Sequence, residues 1–308
     1  MPGSGQTPAV RVERALEVFG GVAEAAVLRR LTSRTKIRVA LARGRIVRDA
    51  RGRYALPGAD EALRQANRLS GVLCLDSAAR HWGWKLKHQP LLASVAVPRN
   101  RKLSQERRAG AHVVYLDLAD DEIHGLATAP VRTVMDCASR MPFDEALAVA
   151  DSALRAGDVA QDELLQAAER MPDRYRARCL RVAREADGRA ANPFESVLRA
   201  VALDVPGLAV EPQPTIPGIG RPDLADPRLR LVVEAESFEF HGRRRLLMRD
   251  CERYNAFVVG GWVVVRFAWE HVMFEPGYVD QVLRAVVVLL SGRPRERALA
   301  AKDDRLSA

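Results

Sequence analysis

The chain has 308 residues, 48% of them hydrophobic, which is enough for two or three domains with buried cores. Its four cysteines, Cys74, Cys137, Cys179 and Cys251, form no CxxC pair, so neither a disulfide framework nor a zinc centre is indicated, and a reducing cytoplasm fits. No apolar run reaches bilayer length, and the net charge of +9 favours a polyanionic partner, most simply nucleic acid. Only five of the 48 basic residues are Lys, a bias that genome composition alone can produce. The distribution is more telling: residues 10–62 hold twelve basic and six acidic side chains, residues 191–292 eleven and thirteen.

Residues 9–20 read as a first helix, with Val12, Leu16 and Phe19 on one face and Gly20-Gly21 as its stop. A second helix is expected over 22–31. Thr32 and Ser33 supply a turn and an N-cap, and a third helix runs over 34–43 before Gly44 ends it. Ile37, Ala40 and Leu41 lie at core spacing there, which leaves Arg34, Thr35, Lys36 and Arg38 facing outward. Residues 45–48 and 53–56, around a turn at 49–52, read as a hairpin carrying Arg45, Arg48, Arg51 and Arg53. Three short helices and a basic hairpin predict a winged helix-turn-helix over residues 1–62, with the third helix suited to the major groove of double-stranded DNA. Basic helix faces are usually only solvated, but here a basic helix and a basic wing coincide on one module.

A middle α/β domain is expected over residues 63–185. Apolar runs at 72–75, 92–97 and 113–116 look like strands, and 133–168 is mostly amphipathic helix. Residues 80–88 interleave Trp82 and Trp84 with bases, as a nucleic-acid surface would, although two core tryptophans at a strand–loop junction explain the pattern more simply. The polar, Gly/Ala-rich stretch 185–192 reads as a linker.

A third domain is expected over 191–292, followed by a charged tail at 293–308. Asn192 and Pro193 open a helix with Glu195 in its first turn. A strand pair follows around Asp223 and 231–236, then a basic helix over 243–259, an apolar strand at 262–269 and a last helix over 277–290. Side chains alternate along a strand, so Glu234 and Glu236 share one face of an apolar segment. Like charges there repel and lose hydration, and a divalent cation is the simplest agent that would favour them. The overall expectation is a multidomain α/β protein.

The pieces Asn192-Pro193-Phe194-Glu195, Arg221-Pro222-Asp223, Val233-Glu234-Ala235-Glu236, Phe240-His241-Gly242, Arg249-Asp250-Cys251-Glu252-Arg253 and Gly261-Trp262 through Arg266-Phe267 occur in an order that resembles a restriction-endonuclease-like domain. More narrowly, residues 192–275 resemble the bacterial domain related to very-short-patch-repair endonucleases, within the PD-(D/E)XK superfamily. That resemblance implies a Mg²⁺- or Mn²⁺-dependent DNA endonuclease, active in defence or repair. It implies Asp223, Glu234 and Glu236 as metal ligands, Glu195 reaching the site from its helix, and His241 as general base or phosphate donor. Asp250 joins the catalytic set, and Arg253 and Arg266 would neutralise phosphoryl charge. The departure is Glu236, which stands where the superfamily usually has lysine. Each residue also has a plainer role: Glu195 as a helix-start acid, Asp223 as a turn residue, His241 as a strand cap, Asp250 and Arg253 as an exposed pair. The Glu234/Glu236 pair is hardest to dismiss.

Residues 10–58, with Leu75-Asp76-Ser77-Ala78-Ala79-Arg80 and Pro130-Val131-Arg132-Thr133-Val134-Met135-Asp136, resemble AbiEi-type antitoxins of type IV toxin–antitoxin systems. That resemblance implies a transcriptional autorepressor that binds its own promoter and has a cognate toxin. Two functions therefore compete, a guided metal-dependent nuclease and a non-catalytic DNA-binding regulator.

Overall fold

Glycines at left-handed backbone angles set the first turn of the fold. Gly20 and Gly21, at φ +71° and +88°, reverse the chain after α1 (Val12–Val18) and send it into strand β1 (Val22–Glu24). The structure, a computed structural model, describes residues 11–236 and 244–292. Helices α2 (Ala25–Leu31) and α3 (Arg34–Ala42) follow, then the hairpin β2 (Val47–Ala50) and β3 (Arg53–Ala55). Ser33 caps α3 by accepting from the Lys36 N–H at 3.3 Å. The three strands form an antiparallel sheet in the order β1-β3-β2. Val12, Leu16, Leu28, Ile37 and Ile46 fill the core between them and the helices.

The second helix was expected to begin at residue 22, but 22–24 form β1. Val22 and Ala23 are buried opposite Ala55 and Tyr54, and that pairing satisfies their backbone groups better than a helix start would. No local pattern encodes a partner thirty residues away.

The chain then folds as α4 (Glu61–Leu69), β4 (Val72–Leu73), α5 (Leu75–His81), β5 (Ala93–Val97), α6 (Gln105–Arg108), β6 (Ala111–Tyr115), a 3₁₀ turn (Asp120–Glu122), β7 (Ile123–His124) and β8 (Ala127–Thr128). These strands form a mixed sheet, β6-β5-β4-β8-β7. Helices α7 (Pro130–Arg140), α8 (Phe143–Ala156), α9 (Gln161–Glu169) and α10 (Asp173–Glu185) complete a helical layer around Met135, Cys137, Val149, Leu164 and Val182. The duller reading of the tryptophans holds: Trp84 is buried with its indole N–H on Asp158 at 2.6 Å, and Trp82 donates to the Thr128 carbonyl at 3.0 Å. Val22 and Ala55 share a core with Leu63, Leu69, Val95 and Ala127, so the N-terminal module and the middle sheet are packed as one body. Residues 185–192 are not a loose linker either. Ala186 and Ala190 are buried, and the Asp187 N–H donates to buried Asp151 at 2.8 Å.

The chain divides into two compact units, residues 1–196 and 197–308. Helix α11 (Pro193–Leu203) leads into the second, which contains β9 (Glu211–Pro212), β10 (Leu224–Asp226), β11 (Leu231–Glu236), α12 (Arg244–Val259), β12 (Val263–Ala268), α13 (Trp269–Phe274) and α14 (Pro276–Ser291). The sheet order is β12-β11-β10-β9. Strands β11 and β12 are parallel and joined through α12, while the other pairs are antiparallel. Ala225, Val232 and Phe257 form the core between sheet and α12. A run as apolar as 262–269 leads one to expect a strand without a solvated face. It is instead an edge strand whose three valines are half-buried. Among the described residues, no helix is long and apolar enough to cross a membrane.

Candidate functional site

Strand β11 starts fully buried and ends half-buried, so its two acids meet different surroundings. Glu234 is 2% exposed; Glu236 lies nearer the surface. As the alternation requires, both project on the side that faces α12, whose Arg253 and Tyr254 receive them. Asp223 immediately precedes β10, and the antiparallel pairing of Leu224 with Val233 sets it beside the end of β11. Its Oδ2 accepts from the Ala235 N–H at 2.8 Å, and Oδ1 accepts from Gln213 at 3.4 Å.

These contacts form a chain of alternating charge. Asp223 lies beside Glu234 across the β10–β11 pair. Arg253 Nη1 donates to Glu234 Oε1 at 2.7 Å, and its Nη2 donates to the Tyr254 hydroxyl at 3.3 Å. Tyr254 donates in turn to Glu236, which also accepts from Arg266 Nε at 3.0 Å. The Arg266 guanidinium lies 4.0 Å above the Tyr254 ring, a cation–π contact. Burial and the neighbouring Asp223 charge push the Glu234 carboxyl up to about 8, against the pull of Arg253. Burial raises Asp223 as well. At neutral pH the pair therefore keeps one proton and balances the single charge of Arg253. Burial and the hydrogen bond to Glu236 hold the Tyr254 hydroxyl in its protonated form.

The other expected site residues have different surroundings. The Glu195 carboxylate accepts from the Ala191 N–H at 2.7 Å and from Asn192 Nδ2 at 2.8 Å, closing the start of α11. Asn192 returns the contact by accepting from the Glu195 N–H at 3.0 Å, as its capping role requires. Asp250 is half-buried one turn before Arg253 and adds negative charge to that side chain's surroundings. His241 lies outside the described residues. Sequence reasoning missed Tyr254; its only signal was adjacency to Arg253 in a helix already known to follow the acids.

Mg²⁺ needs several unclaimed hard oxygens at close to octahedral angles. Asp223 and Glu234 offer the right atoms, but a guanidinium and a backbone N–H each hold one oxygen, and Tyr254 and Arg266 draw Glu236 away. Among the described residues, no three acidic, imidazole or thiol side chains converge on one point. As the side chains stand, the set does not fit a resident cation. In this arrangement Arg253 and Arg266 supply the positive charge beside Glu234 and Glu236.

The second candidate surface is the basic face of the N-terminal module. Arg34, Thr35, Lys36 and Arg38 are all exposed on α3, as the helical spacing predicted. Arg48 and Arg51 are exposed on the hairpin, with Gly52 at φ +75° forming its tip. Arg45 and Arg53 are committed to acids, to Glu13 at 2.8 Å and Glu24 at 3.1 Å. The wing thus presents less positive charge than the residue count suggested. In the middle sheet, a cavity of about 480 Å³ is lined by Asp76, Lys87, His88, His112, Met141 and Glu145.

Residues 71–182, from β4 to α10, match the family described as AbiEi antitoxin C-terminal domain. Two curated relatives, the uncharacterized proteins Rv2248 and MT2308 from two strains of Mycobacterium tuberculosis, are each 32% identical over 219 residues. The alignment covers 67% of this chain and 77% of each relative. The chain belongs to their family. The segment that matches the AbiEi antitoxin C-terminal domain contains the motifs at 75–80 and 130–136. That match gives no support to the endonuclease resemblance of residues 192–275. A crystal structure of the RV2827C protein from Mycobacterium tuberculosis aligns with this chain at TM-score 0.35 and 19% identity, over 61% of this chain and 78% of that one.

Proposed function

We propose that the chain is a DNA-binding regulator of the AbiEi antitoxin type, an autorepressor of its own operon with a cognate toxin as further partner. The observation that carries this is the AbiEi antitoxin match at 71–182, packed directly behind a small basic module. That module has the element order of a winged helix-turn-helix, with α3 as recognition helix and the β2–β3 hairpin as wing. Arg34, Thr35, Lys36 and Arg38 would enter the major groove, while Arg48 and Arg51 at the wing would meet phosphates. Arg45 and Arg53 would serve the module's own ion pairs first.

The nuclease alternative asks the carboxylates of β11 to hold a metal, and their engagement with Arg253, Tyr254 and Arg266 favours the non-catalytic reading. A reporter fused to the DNA upstream of the chain's own gene tests it. The parent chain should repress that reporter, and the Arg34→Ala/Arg38→Ala double variant should relieve repression while remaining folded by circular dichroism. Equal repression by both would refute the assignment of α3.

A further inference from the structure

The acids at the end of β11 raise the question of what balances them. We propose that Arg253 is a built-in substitute for a divalent cation, and that Asp223 and Glu234 become a cation site only when Arg253 is removed. Arg253 Nη1 lies 2.7 Å from a Glu234 oxygen whose side chain is 3% exposed, so the carboxylate end of the pair is shielded from water while the Arg253 side chain is partly exposed. The guanidinium is itself fixed: Nη2 donates to the Tyr254 hydroxyl at 3.3 Å, and Cζ lies 6.0 Å from the ring of Phe257, a fully buried anchor of α12. A planar cation held this way delivers positive charge to Glu234 and occupies space and one carboxylate oxygen that a metal ion would otherwise use. The Ala235 N–H makes the same claim on Asp223 at 2.8 Å. Arg266 and Tyr254 serve Glu236 in parallel, so the second acid of the strand has its own compensation and is not left to complete a metal shell. The domain thereby supplies the countercharge of its paired acids from its own side chains. Promoter binding by residues 1–62 is not required for this, so the two readings stand or fall separately.

The test is Mn²⁺ binding to the full chain at neutral pH, followed by the loss of the free-ion signal in electron paramagnetic resonance. The parent should show no stoichiometric site. Arg253→Met, which keeps the length of the side chain and removes its charge, should bind Mn²⁺ at least about tenfold more tightly than the parent. That gain should vanish in Arg253→Met/Glu234→Gln. A one-to-one site in the parent that Glu234→Gln abolishes would overturn the proposal, as would a folded Arg253→Met that gains nothing. If Arg253→Met does not fold in metal-free buffer, added Mn²⁺ should restore its folding, and a variant that stays unfolded at saturating Mn²⁺ contradicts the proposal.

Discussion

At the residue scale, Glu234 is the most informative side chain. Burial and the neighbouring Asp223 push its carboxyl up to about 8 in the folded chain, from the ordinary glutamate value of 4.5. A carboxyl raised on folding binds its proton more tightly in the native state, so stability is lost as pH rises from the lower value through the upper one. Hydrogen exchange of the β11 amides, corrected for intrinsic rates, should show local stability falling from about pH 5 to pH 8 by an order of 1–3 kcal/mol. Glu234→Gln should flatten that profile, because Asp223 then carries the one charge that balances Arg253. An unchanged profile would mean that Glu234 titrates normally. The like-charge pair on an apolar strand was legible from alternation alone. Its compensation was not, because Arg253 and Tyr254 come from a helix whose facing side depends on the crossover between β11 and β12.

At the element scale, local signals were reliable where a residue acts on its immediate neighbours. Ser33, Asn192 and the glycine stops were readable because caps and left-handed turns are decided within a few residues. Strand β1 was missed, and β12 was misjudged as central, because pairing and edge position depend on distant segments. Ser33→Ala should cost about 1 kcal/mol through loss of the α3 cap, read by chemical denaturation; no measurable cost would remove the cap from the account. Gly71 provides a harsher test. A Cβ there would sit 2.3 Å from the Ala96 carbonyl oxygen, across the β4–β5 pair. Gly71→Ala should therefore lower the melting temperature of the first unit markedly, by a cost on the order of 2–4 kcal/mol, and near-parental stability would contradict the packing described.

At the scale of the whole molecule, charge follows the division of labour. The basic excess lies in residues 10–62, where an exposed helix face and a wing form one module, and the balance turns acidic in residues 191–292. The nuclease resemblance and the antitoxin resemblance were both legible in the sequence, which placed the nuclease first and the regulator as the alternative; the family match supports the alternative better. What separates them is the family match over 71–182, together with the arginines that satisfy the acids of β11. The most direct measurement is fluorescence anisotropy of the full chain on its own promoter DNA across a salt series. The parent should bind promoter DNA at least about a thousandfold more tightly than unrelated DNA, with log K falling steeply as log salt rises. Arg34→Ala/Arg38→Ala should weaken binding at every salt concentration and reduce that slope by about two. Equal affinity for promoter and unrelated DNA, or a double variant that binds as the parent does, would contradict the account.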